Sequence, residues 1–114
     1  MASRPAQPES RRRIAHALSN RECVGYVKIK LACADRFEQE LERVECTMMR
    51  VYQLMHEHVQ AGRFVKEQDG VPGDDYDIWY AITLTIGTKE LFVKFVLEPD
   101  VGEEPGILIV SPHK

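Results

Sequence analysis

The pattern of apolar and polar positions predicts helices in the first half of the chain. Apolar residues recur at helical spacing in residues 11–18 and 32–44 and, most regularly, after Thr47, where they follow an i, i+3, i+4, i+7 order. Thr47 suits an N-cap, and Gly62 suits the position just past a helix end, so an amphipathic helix is predicted between them. Its apolar stripe consists of Met48, Val51, Tyr52, Met55 and Val59.

Strand patterns precede and follow the longest of these helices. Residues 24–31 alternate, with Val27, Ile29 and Leu31 on one side. Strand-like composition returns in four segments of the second half, which are residues 63–68, 76–86, 91–98 and 107–110. Helices followed by hairpin-linked strands predict an α+β domain, in which the helices pack on one face of a four- to five-stranded, mainly antiparallel sheet.

A two-residue turn at Gly87 and Thr88 determines which side chains share a face of the predicted hairpin. One face is apolar and must pack beneath the helices; its pairs are Leu84 with Leu91, Ile82 with Val93, Tyr80 with Phe95, and Ile78 with Leu97. The other face is mixed; its pairs are Thr85 with Glu90, Thr83 with Phe92, Ala81 with Lys94, and Trp79 with Val96. Aromatic rings beside a lysine suit base stacking and phosphate neutralisation, but they also suit packing beneath a loop or the N-terminal segment.

Composition is that of an ordinary globular domain. The 114 residues are 44% hydrophobic and 29% charged, and no apolar run approaches the length of a membrane span. Residues 1–13 lack the apolar segment of a secretory signal, and three cysteines without a metal-binding spacing fit a reducing compartment. We therefore predict a cytoplasmic protein with a flexible basic arm over residues 1–10 and a single α+β domain over residues 11–114.

Charge is distributed unevenly along the chain. The net charge is −3, yet residues 1–31 hold seven Lys/Arg against two Asp/Glu, a net charge of +5. A basic N-terminal third on an acidic body suits nucleic-acid binding, and it equally suits a solvated tail.

Metal and cofactor motifs are missing from the sequence, so no metal and no cofactor is expected. His56 and His58 are two residues apart on the predicted helix and therefore point in diverging directions, which disfavours a shared metal. RNA cleavage by a ribose 2′-OH needs only a general base, a general acid and a cation that stabilises the phosphorane. Candidates on or beside the predicted sheet are Lys66, Lys94, His113 and Lys114.

The second half of the chain resembles a known family. The string IWYAITLTIGTKELFVKFVLEP, followed after a gap by GILIVSPHK, is similar to the C-terminal sheet of RelE-like mRNA interferases, in particular the branch of the motility quorum-sensing regulator toxins. The helix TMMRVYQLMHEHVQAG and the segment RFVKE also resemble that group, so the likeness spans about residues 46–114.

This resemblance implies a RelE-like fold and a metal-independent endoribonuclease that cleaves free or ribosome-bound mRNA. It further implies a toxin–antitoxin system, in which a cognate antitoxin covers the site, and no membrane partner. The residues expected to be catalytic are His113, Lys94 and Lys66, and those expected to bind RNA are Trp79, Phe92, Lys114 and Arg63.

Two departures from the family pattern leave other functions open. Phe92 stands where the related toxins have a tyrosine, and Tyr80 replaces a polar amide that follows Ile-Trp. The alternative is therefore a non-enzymatic binding module, such as a degenerate toxin fold or a small phage or mobile-element protein, that docks on a protein or nucleic acid. A further alternative is a structural subunit whose Trp79 face forms a dimer interface.

Overall fold

The fold is taken from a computed structural model, which describes residues 3–73, 75–99 and 105–112. Three α-helices and six strands make up this part of the chain, and a short 3-10 turn, Leu31–Cys33, precedes the second helix. In order they are β1 Ser3–Pro5, α1 Pro8–Ser19, β2 Val27–Ile29, α2 Ala34–Val44, α3 Met48–Gln60, β3 Lys66–Asp69, β4 Ile78–Ile86, β5 Lys89–Pro99 and β6 Pro105–Pro112. None of these helices is both long and apolar enough to cross a bilayer.

The strands form one six-stranded sheet in the order β1-β3-β4-β5-β6-β2. Neighbouring strands are antiparallel except β2, which lies parallel to β6 at one edge. The α+β class and the mainly antiparallel sheet are therefore confirmed. The predicted count of four to five strands is too low, because β1 adds a strand at the opposite edge.

Strand β1 comes from the segment that was predicted to be a flexible arm. Arg4 forms hydrogen bonds to the buried carboxylate of Glu67 (2.8 Å) and to Asp69 (3.1 Å), and the Ala6 amide donates to the Val65 carbonyl (2.8 Å). Helix α1 then begins at Pro8, a residue that fits the first helical turn because its missing N–H has no partner there anyway. Residues 3–10 thus contribute an edge strand and a helix start.

The hydrophobic core lies between the helices and one face of the sheet. The predicted hairpin register is confirmed from Tyr80 opposite Phe95 through to Ile86 opposite Lys89. The face that the helices cover is the one predicted to be apolar, and its pairs from Tyr80 to Leu84 are buried. The β4–β5 ladder ends at the Tyr80 pair, so the predicted pairings of Trp79 with Val96 and of Ile78 with Leu97 lie beyond it. Ile78 lies opposite Asp69 of β3 and is exposed, so the prediction that it packs beneath the helices is wrong.

The helix after Thr47 forms as the sequence predicts. The Thr47 hydroxyl accepts from the Arg50 amide (3.2 Å), and Gly62 follows the helix with a φ of 75°. Four stripe residues are buried, namely Val51, Tyr52, Met55 and Val59, whereas Met48 is exposed in the first turn. The first predicted strand is shorter than expected, since Leu31 leaves β2 for the 3-10 turn and is 90% exposed.

Gly106 is the position where a side chain would disturb the pairing of β6 with the chain ahead of β2. A Cβ at this residue would lie 2.8 Å from the Gly25 carbonyl oxygen and 3.2 Å from that of Tyr26. Because both atoms are backbone and cannot swing away, Gly106→Ala should lower the free energy of unfolding by about 1–3 kcal/mol. Urea unfolding measures this change, and an unaltered midpoint would contradict the close approach.

Candidate functional site

The sheet face that points away from the helices, here called the open face, carries two lysines around a tryptophan. Lys66 on β3 lies opposite Ala81 on β4, and Ala81 lies opposite Lys94 on β5, so the two lysines flank the same position. Trp79 is two residues from Ala81 along β4 and therefore shares their face. The hairpin register brings Trp79 and Lys94 onto this face, and the separate pairing of β3 with β4 adds Lys66.

The lysines hold their ammonium groups over the Trp79 ring. Lys94 Nζ lies 3.9 Å from the ring centroid, and Lys66 Nζ lies 5.5 Å from it. Such cation–π contacts contribute roughly 0.5–1 kcal/mol at exposed sites. Ala81 is buried at 3% exposure although it lies on the open face, since these long side chains cover it. The arrangement keeps two positive charges together above an aromatic ring.

A shallow cleft of about 130 Å³ opens beside the tryptophan. Its walls come from β4, β5, β6, the loop before β4 and the residue that follows β2; they are Lys30, Asp75, Tyr76, Trp79, Lys94, Val96 and Val110. Val96 is only 1% exposed and provides an apolar base to this cleft. The cleft thus offers an apolar surface with cations and hydrogen-bonding groups at its rim.

Acidic residues neutralise the outer lysines of the open face. Glu98 lies 3.7 Å from Lys28 Nζ and accepts a hydrogen bond from the Tyr76 hydroxyl (3.2 Å), while Asp75 lies 3.9 Å from Lys30 Nζ. Burial, together with the negative charge of Glu98, raises the pKa of the Tyr76 phenol above its ordinary value. Tyr76 is consequently a proton-bearing donor at neutral pH and is poorly suited to act as a base.

The link between Tyr76 and Glu98 gives a testable prediction. Glu98→Gln should lower the pKa of Tyr76, because it removes the negative charge that disfavours the phenolate. The phenolate absorbance of each protein, minus that of its Tyr76→Phe counterpart, isolates this titration from those of the other tyrosines. An unchanged midpoint after Glu98→Gln would show that the two groups do not interact.

The predicted site residues fall into three groups. Lys66, Lys94 and Trp79 form the cluster on the open face, and Phe92 lies on the same face, opposite Thr83 and nearer the hairpin turn. Arg63 lines a separate groove between α3 and β4 and does not border the Trp79 cleft. His113 and Lys114 lie outside the described residues. Strand β6 runs beside β5, with Ser111 opposite Lys94.

Three polar residues that line the cleft, Lys30, Asp75 and Tyr76, were not anticipated as site residues. Lys30 reaches the cleft because β2 pairs with β6, a parallel contact between distant parts of the chain that has no local sequence signal. Asp75 lies just before the segment that is predicted to form a strand, and Tyr76 is the first residue of that segment. An aromatic residue three positions before a tryptophan in an acidic loop is the only sequence signal that could have indicated Tyr76.

The two histidines of α3 contact different neighbours, as their spacing predicts. His56 Nδ1 lies 3.5 Å from an Arg21 guanidinium nitrogen, and burial followed by that positive charge lowers the pKa of His56. His58 Nε2 donates to the Phe64 carbonyl oxygen at 2.7 Å. Within the described residues, no group of three or more His, Cys, Asp or Glu side chains is placed to hold a metal ion.

No similarity to another protein assigns a family or a function to this chain. The resemblance to RelE-like interferases therefore stays a prediction, and the functional argument depends on the open face itself. Comparisons of the chain with protein-family models, with curated proteins and with solved structures find no match.

Proposed function

We propose that the open face binds single-stranded RNA and that the protein is a cytoplasmic, metal-independent endoribonuclease that cleaves mRNA as the toxin of a toxin–antitoxin pair. The observation that carries this proposal is the placement of Lys66 and Lys94 around Trp79 on the open face. The family resemblance supplies the reaction and the substrate class, and the lysine cluster supplies the chemistry that such a reaction requires.

The lysine cluster favours RNA because its charge is not neutralised internally. Lys28 and Lys30 are paired with carboxylates, whereas neither Lys66 nor Lys94 has a carboxylate within salt-bridge distance among the described residues. Cations beside an aromatic ring can bind a phosphate and the adjoining base at the same time.

The proposed reaction is attack of a ribose 2′-OH on the adjacent phosphorus. The 2′-oxygen loses its proton and forms a bond to phosphorus, the bond to the 5′-oxygen breaks, and that oxygen takes up a proton, which leaves a 2′,3′-cyclic phosphate. Lys94 and Lys66 stabilise the extra negative charge of the phosphorane. His113 is assigned to proton transfer because an imidazole titrates near neutral pH.

A non-enzymatic binding module is the second candidate, and Phe92 favours it. Phe92 lies on the open face where the related toxins carry a tyrosine, and a phenyl ring can stack on a base but cannot transfer a proton. Under this alternative the lysine cluster would hold RNA or a protein partner without cleaving it.

Purified protein and a labelled single-stranded RNA separate these functions. Cleavage should proceed in EDTA and yield products that end in a 2′,3′-cyclic phosphate. Trp79 is the single tryptophan of the chain, so its fluorescence reports binding to the open face directly. A fluorescence change without cleavage would select the binding module, and neither signal would overturn an RNA-directed role.

A further inference from the structure

The edge of β4 is unpaired over its last residues. Strand β3 accompanies β4 only from Ile78 to Ala81, and no other described residue pairs with β4 on that side. The hairpin register directs the backbone groups of Ile82, Leu84 and Ile86 toward β5, so those of Thr83 and Thr85 point outward. Two amide donors and two carbonyl acceptors thus lie along an open strand edge.

Hydrogen bonds to the helices explain why β3 does not continue along this edge. The residue that would pair with Thr83 is Phe64, and its carbonyl oxygen instead accepts from His58 Nε2 at 2.7 Å. The carbonyl of Arg63 accepts from the Arg11 guanidinium at 2.8 Å. These two bonds hold the chain before β3 against the helices and leave the β4 edge open within the fold.

A groove of about 470 Å³ runs along this edge. It is bordered by the C-terminal half of α3 and by β4, and its lining residues are Leu54, Glu57, His58, Ala61, Arg63, Thr83, Leu84 and Thr85. Glu57 has Arg50 as an ionic partner at 4.0 Å, whereas Arg63 has none among the described residues. Phe64, at 60% exposure, adds apolar surface to the neighbouring chain.

We propose that this groove binds an extended segment of a protein partner, which adds a strand to the edge of β4 and places an acidic side chain against Arg63. Outward donors and acceptors that repeat every second residue match the backbone of a polypeptide strand. RNA lacks this alternation, so the groove favours a polypeptide. The groove shares no lining residue with the Trp79 cleft, and the proposal does not depend on ribonuclease activity.

Proline substitution tests the strand pairing without removing any hydrogen bond of the sheet. The Thr83 and Thr85 amides point outward, and proline is tolerated at an edge where its missing N–H faces solvent. Peptides are selected from a phage-displayed random library on the full chain, with counter-selection on the Thr83→Pro/Thr85→Pro variant. Selected peptides should bind that variant about tenfold or more weakly, while Thr83→Val/Thr85→Val, which keeps both amides, should bind normally.

Three further measurements keep the result decisive. Thermal unfolding verifies that the proline variant folds, and Arg63→Glu, which leaves the strand intact, should weaken the same peptides and select against acidic ones. In the complex, hydrogen exchange at the Thr83 and Thr85 amides should slow. The proposal would be overturned if no selected peptide bound both variants more weakly than the unmodified chain. It would also be overturned if binding of an oligouridine probe depended on the Thr83 and Thr85 amides and binding of every peptide did not.

Discussion

Replacing Lys94 with alanine is expected to slow RNA cleavage by about a hundredfold or more. Lys94 Nζ is the cation that lies nearer to the Trp79 ring, and the proposed reaction builds negative charge on the phosphate held beside that ring. Removing one group that stabilises such developing charge typically costs a factor of 10²–10³ in rate. The loss should appear mainly in the single-turnover cleavage rate, because stacking on the aromatic ring still contributes to binding.

Lys89→Ala is the matched control for this substitution. Lys89 lies on the same strand, and its Nζ donates to the Arg43 carbonyl at the far end of the hairpin, so the charge change is identical but remote from the site. Lys94→Arg should retain part of the activity, since it preserves a cation over the ring. If Lys94→Ala and Lys89→Ala cleaved RNA equally well, the ribonuclease site could not lie on the open face.

The hairpin and the helix before it could be predicted because their signals are local. A two-residue turn fixes the register of the strands it joins, so Tyr80 opposite Phe95 and Ala81 opposite Lys94 follow by counting. The cap at Thr47 and the glycine at residue 62 mark the helix in a similar way. Placement of Lys94 and Trp79 on one face needed no more than this register.

The edges of the sheet could not be predicted, because they depend on contacts between distant residues. Strand β2 pairs in parallel with β6, and β1 joins β3 through Arg4 and the buried Glu67, more than sixty positions away. No pattern within either short segment indicates such a partner. This is why the strand count was too low and why Lys30 was not expected beside Trp79.

The candidate site shows the same division between local and distant signals. Its centre, Lys66, Lys94 and Trp79, comes from three neighbouring strands that follow one another in sequence. Its rim comes from the residue that follows β2 and from the loop before β4, whose positions depend on packing. Tyr76 in particular owes its raised pKa to burial and to Glu98, neither of which is visible in its own stretch of sequence.

Phe95→Ala is expected to destabilise the fold by about 3–5 kcal/mol, the usual range for a fully buried phenylalanine. Phe95 is completely buried, and its ring stacks on Tyr80 with centroids 5.7 Å apart, so alanine leaves a cavity between sheet and helices. The melting temperature should fall by roughly 12–20 °C for a domain of this size. Thermal unfolding followed by circular dichroism measures the change.

Phe92→Ala, on the same strand, is the control that connects this stability experiment to the site. Phe92 is half-buried on the open face, so the same truncation there should cost no more than about 1.5 kcal/mol. RNA binding should show the reverse order, weakened by Phe92→Ala and unchanged by Phe95→Ala at temperatures where that variant is folded. Equal destabilisation by the two substitutions would mean that the faces of the sheet are wrongly assigned, and the lysine cluster would then have no open surface on which to hold RNA.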